Sequence, residues 1–582
     1  MSQFADDSAI WLSGKSSKYL QKRMQEDIDT INTWCDKWGF LISQTKTVAM
    51  IFSKSSSPCI KLKLGETILS FVKEVKFLGM IFDSKLTWLK HVQYIESRCS
   101  RVLNCMKLLT GTKWGANCST LRTIYISMIR SKIDYGCEVY NSASYSVKKK
   151  LDSIQAQALR ICAGAHKTAS ISGLQTEIGD PPYGLRRKSL ITKSFLNIFS
   201  LNDTNPTIKS LQENAIYEFN KEKIKENQKP YCVTAHDTMN KYNVDINTVY
   251  KCKEFPTPPW HVLKPQVKTE LTNIITKKDS PHLIKSEGNI LIDNKYSNFL
   301  KIYTDGSKNP ENNTNACAFV VPELKVKKGF KLQNHVSIFM CELTAILLSL
   351  YWLEEFQPEN TVIFVDSLSA LKAITGSIFK VKTQIIYDIQ YIYSKLSKLG
   401  LNIILEWIPS HVGLSGNEMA DTAAKKALSI ETCITSIPLY KEDIKCLCKN
   451  LLKKMWQQYW ENNTKSKQLH AIQKDVNFCI TIPKSTRERE RTLFKLRSSY
   501  IFTNKFKYTM GKCNSELCDT CLVVDDMQHY LFNCNKYIPQ RHKMMEKFES
   551  TGVKDLSYKN LFSGYSQTLI PIWDYLINTG MR

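Results

Sequence analysis

Four acidic residues occupy positions in this chain where carboxylates contribute little to folding. Asp305 follows the apolar run KIYT, and Asp366 follows the apolar run TVIFV. Glu342 begins an apolar helical stretch, and Asp421 lies in a predicted helix after the turn LSGN. Because ligands in α/β folds gather where strands end and helices begin, we expect these four side chains to converge on one pocket.

Carboxylates brought together in one pocket repel one another unless cations neutralise them. Hard oxygen ligands of this kind suit Mg²⁺ or Mn²⁺. Two such ions, about 4 Å apart, activate a water and stabilise the leaving oxygen of a phosphodiester. Each acid alone also fits a structural role, as a helix cap, a turn residue or a solvated surface group. As an ordered set, they predict metal-dependent hydrolysis of a nucleic-acid backbone.

Alternating strand and helix patterns between residues 297 and 430 would position these acids. Apolar runs predict strands at 299–305, 316–321, 361–366 and 402–408. Longer apolar patterns predict helices at 341–356, 382–400 and 416–428. Alternation of this kind predicts an α/β fold, with a mixed sheet flanked by helices.

Four sequence blocks in this segment together resemble the type 1 ribonuclease H family. They are TDGS at 304–307, CELTAI at 341–346, VDSLSAL at 365–371 and WIPSHVGLSGNEMADTAAKKA at 407–427. The resemblance implies that the catalytic acids Asp305, Glu342, Asp366 and Asp421 hold two Mg²⁺ (or Mn²⁺) ions. It also implies that the substrate is an RNA/DNA hybrid whose RNA strand is cut.

His411 matches the family's mobile histidine, and the resemblance implies a role in product release or proton handling. The glycine-rich loop HVGLSG that carries it would allow it to move. Asn417 stands beside Gly416 at the start of the last predicted helix, and we interpret it as the N-cap of that helix.

The N-terminal part resembles the end of a reverse transcriptase of the non-LTR retrotransposon (jockey) type. FADD, with Asp6 and Asp7, is similar to the catalytic turn of the palm, and SQTKT, with Lys46, to the motif that follows. VKFLGMIFD at 75–83 resembles the primer-grip hairpin, and the helical stretch that follows ends in QAQALRICAGAHKT, which resembles the thumb. The chain starts a few residues before FADD and lacks the earlier palm aspartate and the fingers. We therefore expect no polymerisation by this chain alone.

A Cys/His pattern lies near the C-terminus. CDTCLVVDDMQHYLFNC places its four candidate ligands at the spacing C-x2-C-x7-H-x4-C: Cys518, Cys521, His529 and Cys534. Three thiolates and one imidazole satisfy a tetrahedral structural zinc site. The pattern is also similar to the zinc-binding tail of the same elements. The alternative is a helical segment with buried cysteines.

The composition favours a polyanionic partner. The 582 residues include 80 Lys and Arg against 54 Asp and Glu, a formal net charge of +26. Such an excess predicts contact with RNA or DNA, and the cluster Arg186, Arg187 and Lys188 beside the turn DPPYG is one candidate surface. No run of 18 apolar residues and no signal peptide is present, so we expect no membrane partner and an intracellular location, in the cytoplasm, the nucleus or both.

These patterns predict a multi-domain chain. Its predicted parts are a truncated palm (1–85), a mostly α-helical thumb (86–200), a linker (201–296), a ribonuclease H domain (297–430) and a basic helical, zinc-binding tail (431–582). The predicted function is ribonuclease H hydrolysis. A catalytically dead nucleic-acid-binding relic is the alternative, and a part of an active RNA-directed DNA polymerase is the least favoured interpretation.

Overall fold

A computed structural model describes most of the chain. It covers residues 2–53, 60–111, 113–213, 229–251, 258–276, 279–310, 312, 314–376, 384–433, 438–463, 466–498, 501–562 and 566–580. The described strands are β1 Ser2–Phe4, β2 Asp7–Ala9, β3 Val48–Ala49, β4 Lys63–Leu64, β5 Thr67–Ile68, β6 Ser70–Phe71, β7 Glu74–Phe77, β8 Met80–Asp83, β9 Gln266–Lys268, β10 Leu300–Asn309, β11 Thr314–Val321, β12 Val326–Leu332, β13 Asn360–Val365 and β14 Asn402–Trp407.

The helices are more numerous than the strands. They are α1 Ser17–Trp38, α2 Leu89–Leu108, α3 Cys118–Ile124, α4 Ser131–Asp134, α5 Tyr145–Ala163, α6 Ile171–Ile178, α7 Tyr183–Phe199, α8 Pro206–Glu213, α9 Tyr231–Lys241, α10 Leu271–Ile274, α11 Pro281–Ile290, α12 Ile338–Phe356, α13 Leu368–Ile374, α14 Gln384–Lys398, α15 Ser415–Ala427, α16 Lys441–Glu461, α17 Lys467–Ile472, α18 Arg487–Ser498, α19 Asn504–Thr509, α20 Ile538–Ser550, α21 Tyr558–Leu561 and α22 Ser566–Asn578. Short π-helical turns occur at Tyr125–Arg130, Leu291–Lys295 and His529–Asn533.

The chain divides into two compact units. The first comprises Met1–Arg187 and Lys453–Arg582 with a short stretch ending at Tyr231, and the second comprises most of the chain between them. Most of the predicted thumb, up to Arg187, and most of the predicted C-terminal tail, from Lys453, thus belong to one discontinuous unit.

A mixed sheet forms the centre of the second unit, in the order β12-β11-β10-β13-β14-β9. β12, β11 and β10 are antiparallel neighbours, whereas β10, β13, β14 and β9 run parallel. The predicted α/β fold with a mixed sheet and flanking helices is therefore confirmed for this part of the chain. β9 lies inside the segment predicted as a linker and adds an edge strand beside β14.

Helices cover both faces of this sheet. Alternate residues of a strand point to opposite faces, and Gly306 faces α12 while its neighbour Asp305 faces the side covered by α15. On the α15 side, Tyr303, Phe364 and Ala420 lie in one buried cluster with Ile292 and Leu414. This cluster joins the strands that carry the acids to the loop and helix that follow β14.

The first unit contains several small β-hairpins followed by helices. β7 and β8 form the hairpin expected over residues 75–83, with Leu78 and Gly79 at positive φ in its turn, as a tight two-residue hairpin requires. α2 packs against α5, and α3 and α6 also contact α5. From the C-terminal part, Trp456 and Trp460 are fully buried in a cluster with Leu469 and Val476.

Candidate active site and Cys/His cluster

Three of the four predicted acids meet near the carboxyl ends of two neighbouring central strands of the sheet. One carboxylate oxygen each of Asp305, Glu342 and Asp366 lies within 4.8 Å of the others. Asp305 lies within β10, and Asp366 directly follows β13, the parallel neighbour in which Val365 pairs with Thr304. Glu342 reaches the same place from the second turn of α12.

A glycine allows α12 to approach the strand this closely. A Cβ atom on Gly306 would lie 2.8 Å from the backbone nitrogen of Glu342 and 2.9 Å from Cβ of Cys341. Contacts that short do not occur, so only glycine fits without moving the helix. The Gly306 backbone N–H is close enough to the carboxylates of Asp305 and Glu342 to act to lower the pKa of each.

The electrostatics of this acidic cluster are unfavourable without a cation. Burial, followed by the charges of Asp366 and Asp421, raises the pKa of Asp305 to about 7. Burial and the same kind of repulsion raise the pKa of Glu342 well above its usual range. Oε2 of Glu342 is buried and has no hydrogen-bond donor among the described residues. An unpartnered buried carboxylate oxygen among mutually repelling acids fits a divalent cation.

Asp421 lies at the rim of this cluster. It is on α15, and its Oδ2 pairs with Nζ of Lys425 at 2.7 Å. Asp421 is not in the group whose oxygens all lie within 4.8 Å, but its charge is one of the causes that raise the pKa of Asp305. The predicted convergence therefore holds for three acids at short range and for Asp421 at a longer distance.

His411 and Asn417 both interact with Asp366. Burial raises the pKa of Asp366, and a hydrogen bond from the Asn417 side chain and the electrostatic interaction with His411 oppose that effect. Our interpretation of Asn417 as an N-cap is wrong, because Leu414 occupies that position and Asn417 lies within α15. Asn417 is buried, and sequence analysis missed its contact with the acidic cluster.

The four predicted zinc ligands also come together. One ligand atom each of Cys518, Cys521, His529 and Cys534 lies within 4.8 Å of the others. The Sγ atoms of Cys518 and Cys534 are 3.8 Å apart, and Nε2 of His529 is buried without a hydrogen-bond partner among the described residues.

The geometry around the first two cysteines is a turn and not a helix. The N–H of Cys518 donates to the carbonyl of Val523 at 2.7 Å, and Leu517 forms a β-bridge with Val524. Although burial acts in the opposite direction, hydrogen bonds from nearby backbone N–H groups and from His529 lower the pKa of the Cys518 thiol to about 7. The pKa of the neighbouring Cys534 thiol is instead raised to about 11, chiefly by burial, so the compact Cys₃His geometry and not the thiol pKa values is what fits a structural Zn²⁺.

The predicted palm residues lie on exposed turns. Asp6 and Asp7 lie at the tip of the β1–β2 hairpin, where Phe4 pairs with Asp7, and both side chains are exposed. Lys46 is exposed in the turn before β3. Neither aspartate belongs to a potential metal-binding group of three or more ligands among the described residues.

The cation cluster at 186–188 lies in the first part of α7, directly after the turn DPPYG. Arg186 pairs with Asp134, with Nε 2.9 Å from Oδ2 and 3.0 Å from Oδ1. Nε of Arg187 donates to Oδ1 of Asn141 at 3.1 Å, whereas Lys188 is exposed. Two of the three cations thus make internal contacts, and nucleic-acid binding by this cluster stays a prediction.

Comparison with known protein families agrees with the geometry of the acidic cluster. Residues 297–429 match the family model described as RNase H. This segment is a ribonuclease H domain. It contains all four predicted acids and His411, and the matched range begins close to β10 and ends just after α15.

The chain is also similar to parts of longer proteins encoded by mobile elements. The chain is 24% identical to the RNA-directed DNA polymerase from mobile element jockey of Drosophila melanogaster, over 33% of the chain and 21% of that protein. It is 25% identical to the putative 115 kDa protein in type-1 retrotransposable element R1DM of the same species, over 33% of the chain and 19% of that protein.

A third relative is covered more fully. The retrovirus-related Pol polyprotein from type-1 retrotransposable element R1 4 of Nasonia vitripennis is 21% identical over 33% of the chain and 54% of that protein. The chain therefore spans about a fifth of the length of the first two relatives and about half of the third. No helix among the described residues has both the length and the apolar character that crossing a bilayer requires.

Proposed function

We propose that the chain hydrolyses the RNA strand of RNA/DNA hybrids through its ribonuclease H domain. The observation that carries this proposal is the cluster of Asp305, Glu342 and Asp366, whose carboxylates meet near the end of two parallel strands and whose mutual repulsion divalent cations would relieve. A purely structural role would not favour three acids within 4.8 Å of one another, two of them buried and the third half-buried.

Mg²⁺ or Mn²⁺ is the cofactor that these residues would hold. Asp305, Glu342 and Asp366 supply hard oxygen ligands, and Asp421 adds charge at the rim. When bound, a pair of such ions supplies an activated water and stabilises the charge on the leaving oxygen of a phosphodiester. Asn417 holds the Asp366 carboxylate in place, and the exposed His411 is positioned to exchange protons or to assist release of the product.

Zinc at the Cys/His cluster is the second part of the proposal. We expect about one zinc ion per chain, absent when Cys518 and Cys521 are both replaced by Ser, because the site then keeps only two ligands. Elemental analysis of protein purified without chelator measures this, and Cys105→Ser, an exposed cysteine outside the cluster, is the control. Hybrid cleavage should largely survive. Equal zinc content in the double variant and the control would contradict the site.

The substrate assay tests the main proposal directly. Purified chain is incubated with Mg²⁺ and labelled RNA/DNA hybrid, single-stranded RNA, duplex RNA and duplex DNA. We expect cleavage of the RNA strand of the hybrid and little cleavage of the other three, since the resemblance implies a hybrid substrate. Binding of the hybrid without cleavage would instead favour a catalytically dead nucleic-acid-binding protein. The charge of +26 supports RNA and DNA as partners in either case, and an intracellular location remains part of the proposal.

A further inference from the structure

The segment just before the matched domain packs directly on the loop that carries His411. α11 and the π-helical turn at Leu291–Lys295 precede residue 297, where the family match begins. Ile292 and Leu414 share one buried cluster, and Val412 packs against it. A Cβ atom on Gly288 of α11 would lie 3.0 Å from Cδ2 of Leu414. α11 therefore lies against the loop with no space for a larger residue at this position.

Several features fix the loop in this arrangement. His411 and Gly413 both have positive φ values, +53° and +84°. Glycine adopts such values without strain, whereas a residue with a side chain rarely does. The N–H of Gly413 donates to Oε1 of Glu418 at 3.3 Å. Since Val412 and Leu414 anchor the same loop in the core, the position of α11 relative to His411 is determined by packing.

Lys285 of α11 presents its charge to this loop. Its Nζ lies 3.3 Å from the position that a Cβ atom on Gly413 would occupy. Lys285 is exposed, and no salt bridge joins it to a carboxylate in the part of the chain that the structure describes. Lys425, in contrast, is paired with Asp421. The ammonium of Lys285 is thus free to bind an external anion.

The position of Lys285 indicates which kind of anion its ammonium would bind. Gly413 is two residues from His411, so their Cα atoms are at most about 7.6 Å apart. The loop itself starts beside Asp366, because Nε1 of Trp407 donates to the Asp366 carbonyl at 3.1 Å and the N–H of Ile408, three residues before His411, donates to the Val365 carbonyl at 3.1 Å. A nucleic acid whose scissile phosphodiester reached Asp366 would carry neighbouring phosphates along its backbone, and one of them would fall beside Lys285.

We infer that Lys285 is a nucleic-acid contact of the ribonuclease H unit and binds a backbone phosphate next to His411. This inference rests on the proposed function, because it places the cleaved strand at Asp366. It also assigns a role in substrate binding to a helix outside the matched ribonuclease H segment.

Binding measured without cleavage tests this role of Lys285. All variants are made in the full chain with Asp305→Asn, and the affinity for a labelled hybrid is measured by fluorescence anisotropy at several salt concentrations. Lys285→Ala should weaken binding about fivefold and make the slope of log affinity against log salt shallower by roughly 0.9 for each phosphate that the variant no longer neutralises. Lys285→Glu should weaken binding further, and Lys285→Arg should retain most of it.

Lys325→Ala is the matched control. Lys325 is also exposed, but it lies beyond the end of β11, whose Ala318 pairs with Asp305. From Ala318 the chain runs four residues to Pro322, where the strand has ended, roughly 13 Å at 3.3 Å per residue, and Lys325 follows the turn Pro322–Leu324. Equal effects of the two substitutions, or no effect of Lys285→Ala, would overturn the inference. A selective decrease in binding in a chain that never cleaves hybrid would support the role of Lys285 and reject only the hydrolysis.

Discussion

Replacing Asp305 by Asn is expected to lower the rate of hybrid cleavage by about 10³-fold or more. Metal ions at such sites supply several kcal/mol of transition-state stabilisation, and each 1.36 kcal/mol corresponds to about a tenfold rate. An amide keeps the shape of the side chain but loses the charge that attracts the cations. Glu342→Gln should have an effect of the same kind, because its carboxylate lies in the same group.

The same substitution is expected to stabilise the metal-free protein at pH 8. Asp305 has a pKa of about 7 in the folded state, against an ordinary value of 3.8. A carboxyl group whose pKa is raised on folding costs stability as the pH rises from about 4 to 7, and the full cost is present at pH 8. Asn removes that cost, so the melting temperature should rise without metal, while the gain on adding Mg²⁺ should become smaller.

Glu359→Gln provides the control for these measurements. Glu359 is exposed just before β13. Its replacement by Gln is the same chemical change as Glu342→Gln, but it lies outside the acidic cluster. Steady-state cleavage and thermal unfolding with and without Mg²⁺ should match wild type in this variant. Unchanged cleavage in both Asp305→Asn and Glu342→Gln would reject the acidic cluster as the catalytic site.

Sequence patterns predicted the strands that carry the acids because those strands lie inside the sheet. β10 and β13 are buried on both sides, so their apolar runs are continuous and the acid that interrupts or ends each run is conspicuous. The edge strands gave no such pattern. β12 carries Lys327, Lys328 and Lys331, as edge strands often do, and β9 has only three residues.

The contact of Asn417 was not predicted for a different reason. Its position after a turn and at the start of a helix fits a cap as well as any other role. The structure shows that the helix begins two residues earlier, and the side chain then reaches Asp366 across the loop. Only the relative positions of α15 and β13 in three dimensions decide between these roles.

The discontinuous first unit also lies beyond local patterns. More than 300 residues separate Glu177 from Arg497, and no periodicity relates them. In the structure, Nε of Arg497 on α18 donates to Oε1 of Glu177 on α6 at 2.6 Å, with side chains that are 3% and 0% exposed. The hydroxyl of Thr481 donates to Oε2 of the same glutamate at 2.7 Å. The pair joins the predicted thumb to the predicted tail.

Replacing Arg497 by Met is therefore expected to destabilise the whole first unit by about 3–5 kcal/mol, the usual cost of leaving one member of a buried ion pair without its partner. Arg497 also donates to the carbonyl of Phe562 and, at 3.2 Å, to Oε1 of Gln473, so its removal leaves further buried acceptors unpaired. The double variant Glu177→Gln/Arg497→Met should be destabilised by less than the sum of the two single variants, because no buried charge then remains alone.

Hydrogen exchange measured by mass spectrometry locates this effect. Arg23→Met is the control, since its pair with Glu26 is exposed, with side chains 54% and 47% accessible, and should contribute less than about 1 kcal/mol. We expect Arg497→Met to increase exchange in both α6 and α18, because the two segments unfold together, while β10 and β13 of the second unit keep their protection. Faster exchange in α18 with α6 unchanged would contradict one cooperative unit, since the tail would then fold independently of the helices that precede the ribonuclease H domain.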